Sequence, residues 1–446
     1  MEKMKDSGIE WIGDIPEDWS VIRLKHSAWL KGRIGWQGLR SDEFKEEGPY
    51  LITGTDFDNG IVNWNTCVHI TESRFREAPE IHIHEDDLLI TKDGTIGKTA
   101  IAKNCPEKVS LNSGVFIVRN TGKYKYVSKF LYYIIQSNEF TLWFDLGNVG
   151  NSTIKHLNQE MFYNFQFALP PLETQKRIAD FLDAKCAKID GLKNDIQKQI
   201  ETLEQYKKSV ITEAVTGKLK FASINPNAKM KDSGIEWIGK IPEHWEVKRI
   251  GQIYIERREK VSDRDYPPLS VTMKGILPQL ETAAKSDAHD DRKLVCKGDF
   301  AINSRSDRRG SCGISPCDGS ISLINTVLIP LGKMNPVFYN WLFHTPIFAD
   351  EFYKNGHGIV DDLWTTSWQE MKRISIPLPS MNEQKQIADY LDEKCSSIDS
   401  IISTKKQQLE KLEEYKKSLI FEYVTGKKQV FSGEFPSETS GKKGVV

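Results

Sequence analysis

The sequence lacks an excess of charge of either sign, since its 61 lysines and arginines are matched by 62 aspartates and glutamates. A formal net charge of −1 argues against a chain that binds nucleic acid or an anionic membrane through a generally basic surface. No apolar run approaches the roughly 18 residues that a membrane-spanning helix needs. The N-terminus has no basic and then apolar pattern of a signal peptide, so we expect a cytoplasmic protein that contacts no membrane.

Cysteine is scarce and irregularly spaced. The seven cysteines are odd in number and provide neither a disulfide framework nor paired C-x-x-C zinc spacing. Cys312 and Cys317, with four residues between them, could supply at most half of a metal site. We therefore predict free thiols and no bound metal.

Motifs of catalysis are also missing. The segment Gly94–Thr99 (GTIGKT) resembles the end of a phosphate-binding loop, but the first glycine of that motif would fall on Lys92. His82 and His84 share one face of a predicted strand, yet no third metal ligand stands at a suitable spacing, so a solvated strand face is preferred. No G-x-S-x-G or H-E-x-x-H motif occurs. Catalysis is therefore absent from this chain or belongs to a partner.

What the chain does contain is two internal repeats. The segment from Thr174 to Gly217 returns 209 residues later as Glu383 to Gly426, with 24 of 44 positions identical. The segment from Met4 to Trp19 returns as Met230 to Trp245, with 14 of 16 positions identical. A frame, an insert and a second frame segment therefore occur twice, and the two inserts differ in sequence.

The longer repeat has the apolar spacing of a helix. Apolar residues recur at steps of three or four positions, or at sums of such steps. They are Leu182, Ile189, Leu192, Ile196, Leu203, Tyr206 and Val210 in the first copy and Leu391, Ile398, Ile401, Leu412, Tyr415 and Leu419 in the second. Lys405 and Gln408 interrupt the second stripe. Each helix would be roughly 60 Å long at about 1.5 Å per residue, which is too long and too narrow in its stripe to be stable alone. We predict that the two helices pack as an antiparallel coiled coil.

The sequences of both inserts predict domains that contain helices as well as strands. Short β-like runs separated by glycine, asparagine and aspartate fill them, and each insert ends in a β-like run and prolines that mark the start of a helix. The fold class is predicted to be α/β (mixed α+β), with two domains in a pseudo-twofold repeat separated by two long antiparallel coiled-coil helices. The predicted boundaries are a first domain at 1–172, a first helix at 173–217, a linker at 218–229, a second domain at 230–381, a second helix at 382–427 and a disordered tail at 428–446.

Three motifs together resemble a known family. They are GIEWIGxIPExxW, LPPLxxQKxIADFLD and EQYKKSVITEAVTGK. From Met4 to Lys427 the chain resembles the specificity subunit of bacterial type I restriction-modification systems. The resemblance implies that each insert is a target-recognition domain that reads one half of a bipartite DNA site. It also implies that the helices form the spacer and the docking surface for methyltransferase subunits.

The resemblance also implies partners and cofactors. The expected partners are double-stranded DNA, two methyltransferase subunits and restriction/translocase subunits. S-adenosylmethionine is expected on the methyltransferase subunits, and ATP and Mg on the partner subunits that translocate and cut. This chain would bind no cofactor and carry no catalytic residue. A coiled-coil adaptor that joins proteins through its inserts fits the frame equally well and stays open as an alternative.

Neither insert is basic as a whole. Residues 20–160 contain 17 basic and 17 acidic residues, and residues 246–370 contain 16 basic and 17 acidic residues. Because phosphate neutralisation supplies most non-specific affinity, we expect the chain alone to bind DNA weakly. Base reading, by contrast, needs only a few polar or basic side chains on loops that face a groove. The candidates are Lys92, Lys98, Asn148, Asn151, Ser152, Thr153 and Lys155 in the first insert and Ser304, Arg305, Ser306, Arg308, Arg309, Asn355 and His357 in the second.

Overall fold

The duplication seen in the sequence is repeated in the order of helices and strands. The structure, a computed structural model, describes residues 3–33, 39–121, 123–147, 155–219, 229–279, 289–358 and 364–431. The chain divides into unit 1, residues 1–196 with 407–446, and unit 2, residues 197–406. Each unit contains one domain and part of each long helix.

The first domain and the helix that follows it contain these elements: β1 (Met4–Asp6), β2 (Asp14–Pro16), β3 (Ser20–Arg23), β4 (Ala28–Gly32), β5 (Lys45–Ile52), β6 (Phe57–Asp58), β7 (Ile61–Val62), β8 (Val68–His69), α1 (Glu72–Arg76), β9 (Leu88–Thr91), β10 (Thr99–Ile101), β11 (Val109–Leu111), β12 (Val115–Asn120), α2 (Ser128–Gln136), α3 (Asn138–Gly147), α4 (Gln159–Tyr163), β13 (Gln166–Leu169) and α5 (Leu172–Val215). The main sheet has the strand order β4-β12-β9-β10-β7-β6, and a smaller sheet has the order β11-β5-β8.

The second domain and its helix contain these elements: β14 (Met230–Asp232), β15 (Lys240–Pro242), β16 (Glu246–Arg249), β17 (Tyr254–Glu256), β18 (Lys260–Val261), β19 (Leu269–Thr272), β20 (Gly275–Pro278), β21 (Arg292–Val295), β22 (Phe300–Asn303), β23 (Cys312–Ile314), β24 (Gly319–Ile321), β25 (Asn325–Pro330), α6 (Pro336–Phe343), α7 (Pro346–Lys354), α8 (Trp368–Met371), β26 (Ser375–Leu378) and α9 (Met381–Val424). The order β17-β25-β22-β23 matches β4-β12-β9-β10 of the first domain.

The shared centre of both domains is a buried antiparallel strand pair. In β9 and β22 all four residues are buried, so these strands read as short apolar runs rather than as alternating patterns. Their neighbours β12 and β25 pair with them in matching registers, Phe116 with Ile90 and Leu328 with Phe300. Helix α2 packs against β9 and β10, and α6 packs against β23. Inserts of different sequence therefore keep one framework.

A buried glutamine ties each domain to its long helix. Gln175 lies in the first turn of α5, where its amide nitrogen donates to the carbonyl of Pro170 over 2.8 Å and its amide oxygen accepts from the backbone N–H of Val127 over 2.7 Å. Gln384 makes the equivalent hydrogen bonds at 2.9 Å each. Because both side chains are buried, losing either would leave backbone groups unpaired away from water. The repeated glutamine therefore fixes where the domain ends and the helix begins.

The two long helices are antiparallel partners, as predicted. Each has 44 residues. In unit 1, Lys416 donates to Asp190 over 2.7 Å, and the rings of Phe181 and Tyr423 lie 4.5 Å apart. In unit 2, Lys207 of α5 donates to Asp399 of α9 over 2.6 Å. As the residue number rises along α5, the partner number falls along α9, so the pairing is antiparallel in each unit.

The seam between the helices follows a stricter spacing than the predicted stripe. Alternating steps of four and three residues give seam positions Leu182, Cys186, Ile189, Lys193, Ile196, Ile200, Leu203, Lys207, Val210 and Ala214 on α5, all buried or half-buried. The same spacing on α9 gives Leu391, Cys395, Ile398, Ile402, Lys405, Leu409, Leu412, Lys416, Leu419 and Tyr423. The prediction was wrong for Leu192, Tyr206, Ile401 and Tyr415, which are 54%, 47%, 44% and 57% exposed.

Lysines occupy seam positions where apolar residues were expected. Lys193 forms an ion pair with Glu413 in unit 1, and Lys207 pairs with Asp399 in unit 2. Lys405, which interrupts the apolar stripe, is half-buried in the seam and donates to the side chain of Gln199 over 2.5 Å. A lysine stem covers apolar surface while its ammonium group reaches a partner at the edge, which is why the seam tolerates these residues.

The Thr-Gly at the end of each long helix has a packing role. Gly217 and Gly426 have φ values of +72° and +74°, the left-handed conformation that commonly ends a helix. A side chain on Gly426 would collide with Pro16, and one on Gly217 would collide with Pro242. The end of each repeated helix thus packs against a copy of the shorter repeat within the same unit.

The end of α9 leads into chain that packs against the first domain. The side chain of Lys427 donates to the carbonyl of Ile12 over 2.7 Å, and Val430 is buried with its carbonyl accepting from Arg177. The sequence predicts a disordered tail from residue 428, whereas packed chain continues to Val430. Among the described residues, no helix is both long and apolar enough to span a bilayer.

Candidate nucleic-acid interface

The candidate residues of both domains lie on equivalent connections of the shared framework. Lys92 and Lys98 lie between β9 and β10, and residues 304–309 lie between β22 and β23. The remaining candidates follow α3 in the first domain and α7 in the second. The framework therefore presents one hairpin loop and one post-helical segment in each domain.

In the first domain the hairpin loop and the post-helical segment meet. The backbone carbonyl of Lys92 accepts from the N–H of Leu157 over 3.0 Å. Asp93 bonds the Lys92 ammonium over 2.9 Å and the His156 ring over 2.7 Å. Burial raises the pKa of Asp93, but the hydrogen bonds from Lys92 and His156 outweigh burial and lower the pKa below its usual value. Asp93 is thus held as an anion between the two segments.

Two further lysines lie on the same segments and are exposed. The Lys98 ammonium donates to the carbonyl of Gly54 over 3.1 Å and lies 5.9 Å from the centre of the Phe57 ring. The Lys155 ammonium pairs with Asp145 over 2.7 Å. The remaining candidates of this domain lie outside the described residues: Asn148, Asn151, Ser152 and Thr153.

In the second domain a short extended segment joins the two candidate loops. Arg305 forms an antiparallel bridge with Thr365, and His357 bridges the same residue from its other side. The N–H of Ser306 donates to the carbonyl of Trp364 over 3.0 Å. The structure therefore brings the arginine loop and the His357 loop together, as the equivalent contacts do in the first domain.

The three arginines of this loop are all close to carboxylates. Arg305 Nε lies 3.3 Å from Asp307 Oδ1, and Arg308 Nε lies 3.8 Å from Asp307 Oδ2. Arg309 forms an ion pair with Asp350, and its guanidinium lies 5.8 Å from the centre of the Tyr353 ring. Arg308 is the most exposed of the three, with 69% of its side chain accessible.

The polar candidates of the second domain bond within the domain. The hydroxyl of Ser304 lies 3.1 Å from that of Thr326. The amide nitrogen of Asn355, an exposed side chain, donates to the backbone carbonyl of Glu351 over 2.8 Å and to its carboxylate over 3.0 Å. Ser304 and Asn355 therefore help to hold the loops in shape.

Sequence reasoning missed the residues that connect these loops. Thr365 and Trp364 carry the bridge, and the Trp364 indole donates to the carbonyl of Tyr353 over 2.7 Å. The only available signal was the short WTTS run, rich in aromatic and β-branched residues. The aspartates that pair with the candidate cations were missed as well, because a requirement for donors to DNA selects basic and polar residues and passes over carboxylates.

The weaker metal candidates are occupied by ordinary contacts. His82 Nε2 hydrogen-bonds the carbonyl of Phe75 at 2.9 Å, and its ring stacks on the Phe75 ring at 3.7 Å. All seven cysteines are free thiols, and burial raises the pKa of Cys312. Across the described part of the chain, no group of three His, Cys, Asp or Glu side chains could hold a metal ion.

Comparison with protein families decides between the two open interpretations of the frame. The model of the type I restriction modification DNA specificity domain matches residues 16–202 and again residues 242–413, which together make up most of the chain. The chain belongs to the type I restriction-modification DNA specificity family. It is therefore a DNA-recognition subunit without catalytic activity, and the adaptor interpretation is set aside.

Named specificity subunits match over nearly their whole length. The putative type I restriction enzyme MjaX specificity subunit of Methanocaldococcus jannaschii is 27% identical over 439 residues, covering 94% of this chain and 96% of that protein. The type I restriction enzyme EcoBI specificity subunit of Escherichia coli is 23% identical over 424 residues, covering 90% of this chain and 84% of that protein. Each match therefore covers at least 90% of this chain.

Two solved structures have the same fold. A chain from a structure of the type I R-M system matches with a TM-score of 0.68 at 14% identity, covering 92% of this chain and 98% of that chain. The crystal structure of the HsdS subunit from Thermoanaerobacter tengcongensis matches with a TM-score of 0.52 at 15% identity over the same shares. At such low identity the likeness shows the fold alone. It confirms the prediction of a mixed α/β fold.

Proposed function

We propose that each domain of this specificity subunit reads one half of a bipartite DNA site through its joined pair of segments. These pairs are residues 92–98 with 155–157 in the first domain and residues 304–309 with 355–357 in the second. The observation that carries the proposal is the bridge from Arg305 through Thr365 to His357, together with its counterpart from Lys92 to Leu157. Two inserts of different sequence thus assemble equivalent loops on one framework, as two readers of different half-sites would.

The side chains on these loops suit reading in the major groove. A planar arginine can donate two parallel hydrogen bonds to guanine, and each such pair contributes about 1–3 kcal/mol of discrimination against the wrong base. Arg305 is held by backbone bridging close to the sheet, whereas Arg308 projects into solvent. We assign base reading to Arg305 and Arg309 and a more adaptable contact, with phosphate or base, to Arg308.

The long helices are proposed to dock two methyltransferase subunits. In unit 1, Asp190 and Lys193 of α5 contact Lys416 and Glu413 of α9. Leu192 lies between those two α5 residues, so it is level with Tyr415, and both side chains are exposed. In unit 2, the contact between Lys207 and Asp399 similarly brings Tyr206 level with Ile401. The internal repeat places Ile401 at the position of Leu192 and Tyr415 at the position of Tyr206, so the two pairs are equivalent. Each unit presents one pair. One apolar patch in each unit suits two copies of one partner.

The partners would supply what this chain does not. Near-neutral recognition domains supply little non-specific affinity, so the methyltransferase subunits are expected to add most phosphate contacts. In this proposal S-adenosylmethionine binds to those subunits, whereas ATP and Mg bind to restriction/translocase subunits. The assembled complex would act in the cytoplasm, where the DNA of the cell is accessible.

Mapping of methylated adenine in cells that carry this chain and its methyltransferase partners tests the proposal. The expected map contains one bipartite motif with an unspecified gap. Replacing residues 304–309 with the equivalent loop of a different specificity subunit should change one half-site and leave the other half-site intact. A map without a bipartite motif, or a loop exchange that alters both halves equally, would contradict the proposal.

A further inference from the structure

The cationic candidates of the second domain are neutralised within the domain. Asp307 lies beside Arg305 and Arg308, at 3.3 Å and 3.8 Å respectively. Asp350, from the neighbouring helix α7, pairs with Arg309. Three positive charges that would face DNA thus lie against two carboxylates.

The first domain repeats this arrangement with different residues. Asp93 pairs with Lys92 over 2.9 Å, and Asp145 at the end of α3 pairs with Lys155 over 2.7 Å. In each domain one carboxylate comes from the hairpin loop and one from the helix before the post-helical segment. The sequences of the two inserts differ, so these positions are matched by place in the fold and not by motif.

These four residues, Asp93, Asp145, Asp307 and Asp350, are called the masking aspartates here. We propose that the masking aspartates are specificity-determining residues: they hold five of the DNA-facing cations in internal ion pairs and so suppress binding to non-cognate DNA. The five are Lys92, Lys155, Arg305, Arg308 and Arg309. The inference rests on the proposed function, because it needs these loops to face DNA. It adds a role for acidic residues, which by themselves repel the phosphate backbone.

The physical basis is an exchange of acceptors. Non-cognate DNA offers a masked arginine a phosphate in place of a carboxylate, so one anion replaces another and little free energy is gained. Arginine pairs equally well with a carboxylate and with a phosphate, but cognate DNA also offers hydrogen-bond acceptors on base edges, which offset the loss of the internal ion pair. Masking therefore weakens phosphate-only binding more than base-specific binding. The balanced charge of both inserts, 17 against 17 and 16 against 17, agrees with this mechanism.

The test uses the full chain assembled with its methyltransferase subunits. Dissociation constants are measured over a salt series for a cognate duplex, chosen from the methylation map, and for a duplex with both half-sites scrambled. In Asp307→Asn/Asp350→Asn the affinity for the scrambled duplex should rise about tenfold, and the salt dependence should steepen by about 0.9 for each phosphate newly neutralised. The ratio of cognate to scrambled affinity should fall.

A matched control separates local masking from a change in net charge. Asp291 pairs with Lys260 over 2.5 Å in the same domain, outside the candidate loops. Asp291→Asn is compared with the single variant Asp350→Asn, because each removes one negative charge, and it should leave the affinity for the scrambled duplex unchanged. Adding Arg309→Ala to Asp350→Asn should cancel the gain, because the unmasked cation is then absent. The exposed pair of Asp145 and Lys155 provides Asp145→Asn as a second variant should the double variant fold poorly.

The outcomes separate this inference from the proposal beneath it. In one outcome the parent complex discriminates between the duplexes, but the masking variants leave the affinity for the scrambled duplex and its salt dependence unchanged. That outcome overturns masking alone. An equal gain in Asp291→Asn also overturns masking, because general charge then explains the effect. A parent complex that does not discriminate overturns both the proposed function and masking.

Discussion

Arg305, Arg308 and Arg309 differ in how firmly the fold holds them. Arg305 is half-buried and bridged to Thr365, whereas Arg308 is largely exposed. A side chain that reads a base must be held in one geometry, since discrimination depends on the direction of two hydrogen bonds. A side chain that contacts phosphate needs only its charge. The degree of support therefore predicts different effects for neighbouring arginines.

Single alanine substitutions test this difference. Arg305→Ala should cost about 1–3 kcal/mol of binding to the cognate site and relax one position of one half-site. Arg308→Ala, if it contacts phosphate, should weaken binding to all sequences and reduce the salt dependence. The measurements are binding to a panel of singly substituted duplexes and the methylation map. Arg258→Ala is a matched control, because Arg258 pairs with Glu256 outside the loops; losing discrimination there would contradict the assignment.

Glu139 gives the first domain a dependence on pH. Its carboxylate is fully buried, and neither oxygen has a hydrogen-bond partner. Burial raises the pKa of Glu139 from 4.5 to about 8, because it outweighs the positive charge of Lys427, which lowers the pKa. Between those two values the folded protein holds the proton while the unfolded chain has lost it. Stability contributed by the protonated group is therefore present in full below about pH 4.5 and is lost as the pH rises towards about 8.

The variant Glu139→Gln should remove this dependence. The expected result is a Tm that falls less between pH 5 and 8 than it does in the parent chain, measured by thermal unfolding in buffers of matched ionic strength. Glu80→Gln serves as a control for the loss of one carboxylate. Parallel Tm curves for the parent and Glu139→Gln would show that Glu139 does not titrate in this range.

At the scale of elements, the repeated frame could be predicted and the joined loops could not. The two long helices follow from apolar spacing and from the 24 of 44 identical positions in the two copies, because both signals can be read directly from the sequence. Lys193 and Lys207 were missed as seam residues because an apolar criterion passes over lysine, although the regular steps of four and three include both. The bridge from Arg305 through Thr365 to His357 joins residues up to 60 positions apart, and no local pattern encodes such a contact.

The exposed pairs on the helices lead to a prediction about docking. Changing Leu192 and Tyr415 to aspartate should weaken binding of one methyltransferase subunit, because the apolar patch of unit 1 would then carry two charges. The patch of unit 2, with Tyr206 and Ile401, should still bind. The measurement is the stoichiometry of the purified complex by native mass spectrometry. Met273→Asp, which changes a side chain 72% exposed outside the helices, is the control; an unchanged two-to-one complex in the patch variant would contradict the prediction.

At the scale of the whole molecule, both long helices continue from one unit into the other. Helix α5 passes from unit 1 to unit 2 after residue 196, and α9 passes from unit 2 to unit 1 after residue 406. If the helices set the gap between half-sites, lengthening both at these points should lengthen the gap without touching a reading loop. The length of the insertion determines whether the seam stays in register, since the seam's steps of four and three repeat every seven residues.

Insertions of seven and of four residues at both points should therefore have different effects. Seven residues add about 10.5 Å and keep the seam in register, so the methylation map should show both half-sites unchanged and a gap about three base pairs longer, at about 3.4 Å per base pair. Four residues add about 6 Å, but they locally unwind a coiled coil and turn one domain relative to the other. That variant should have a longer gap and a lower methylation rate. A map in which the gap stays constant in both variants would mean that the helices serve partner docking alone, and that contacts outside them set the spacing.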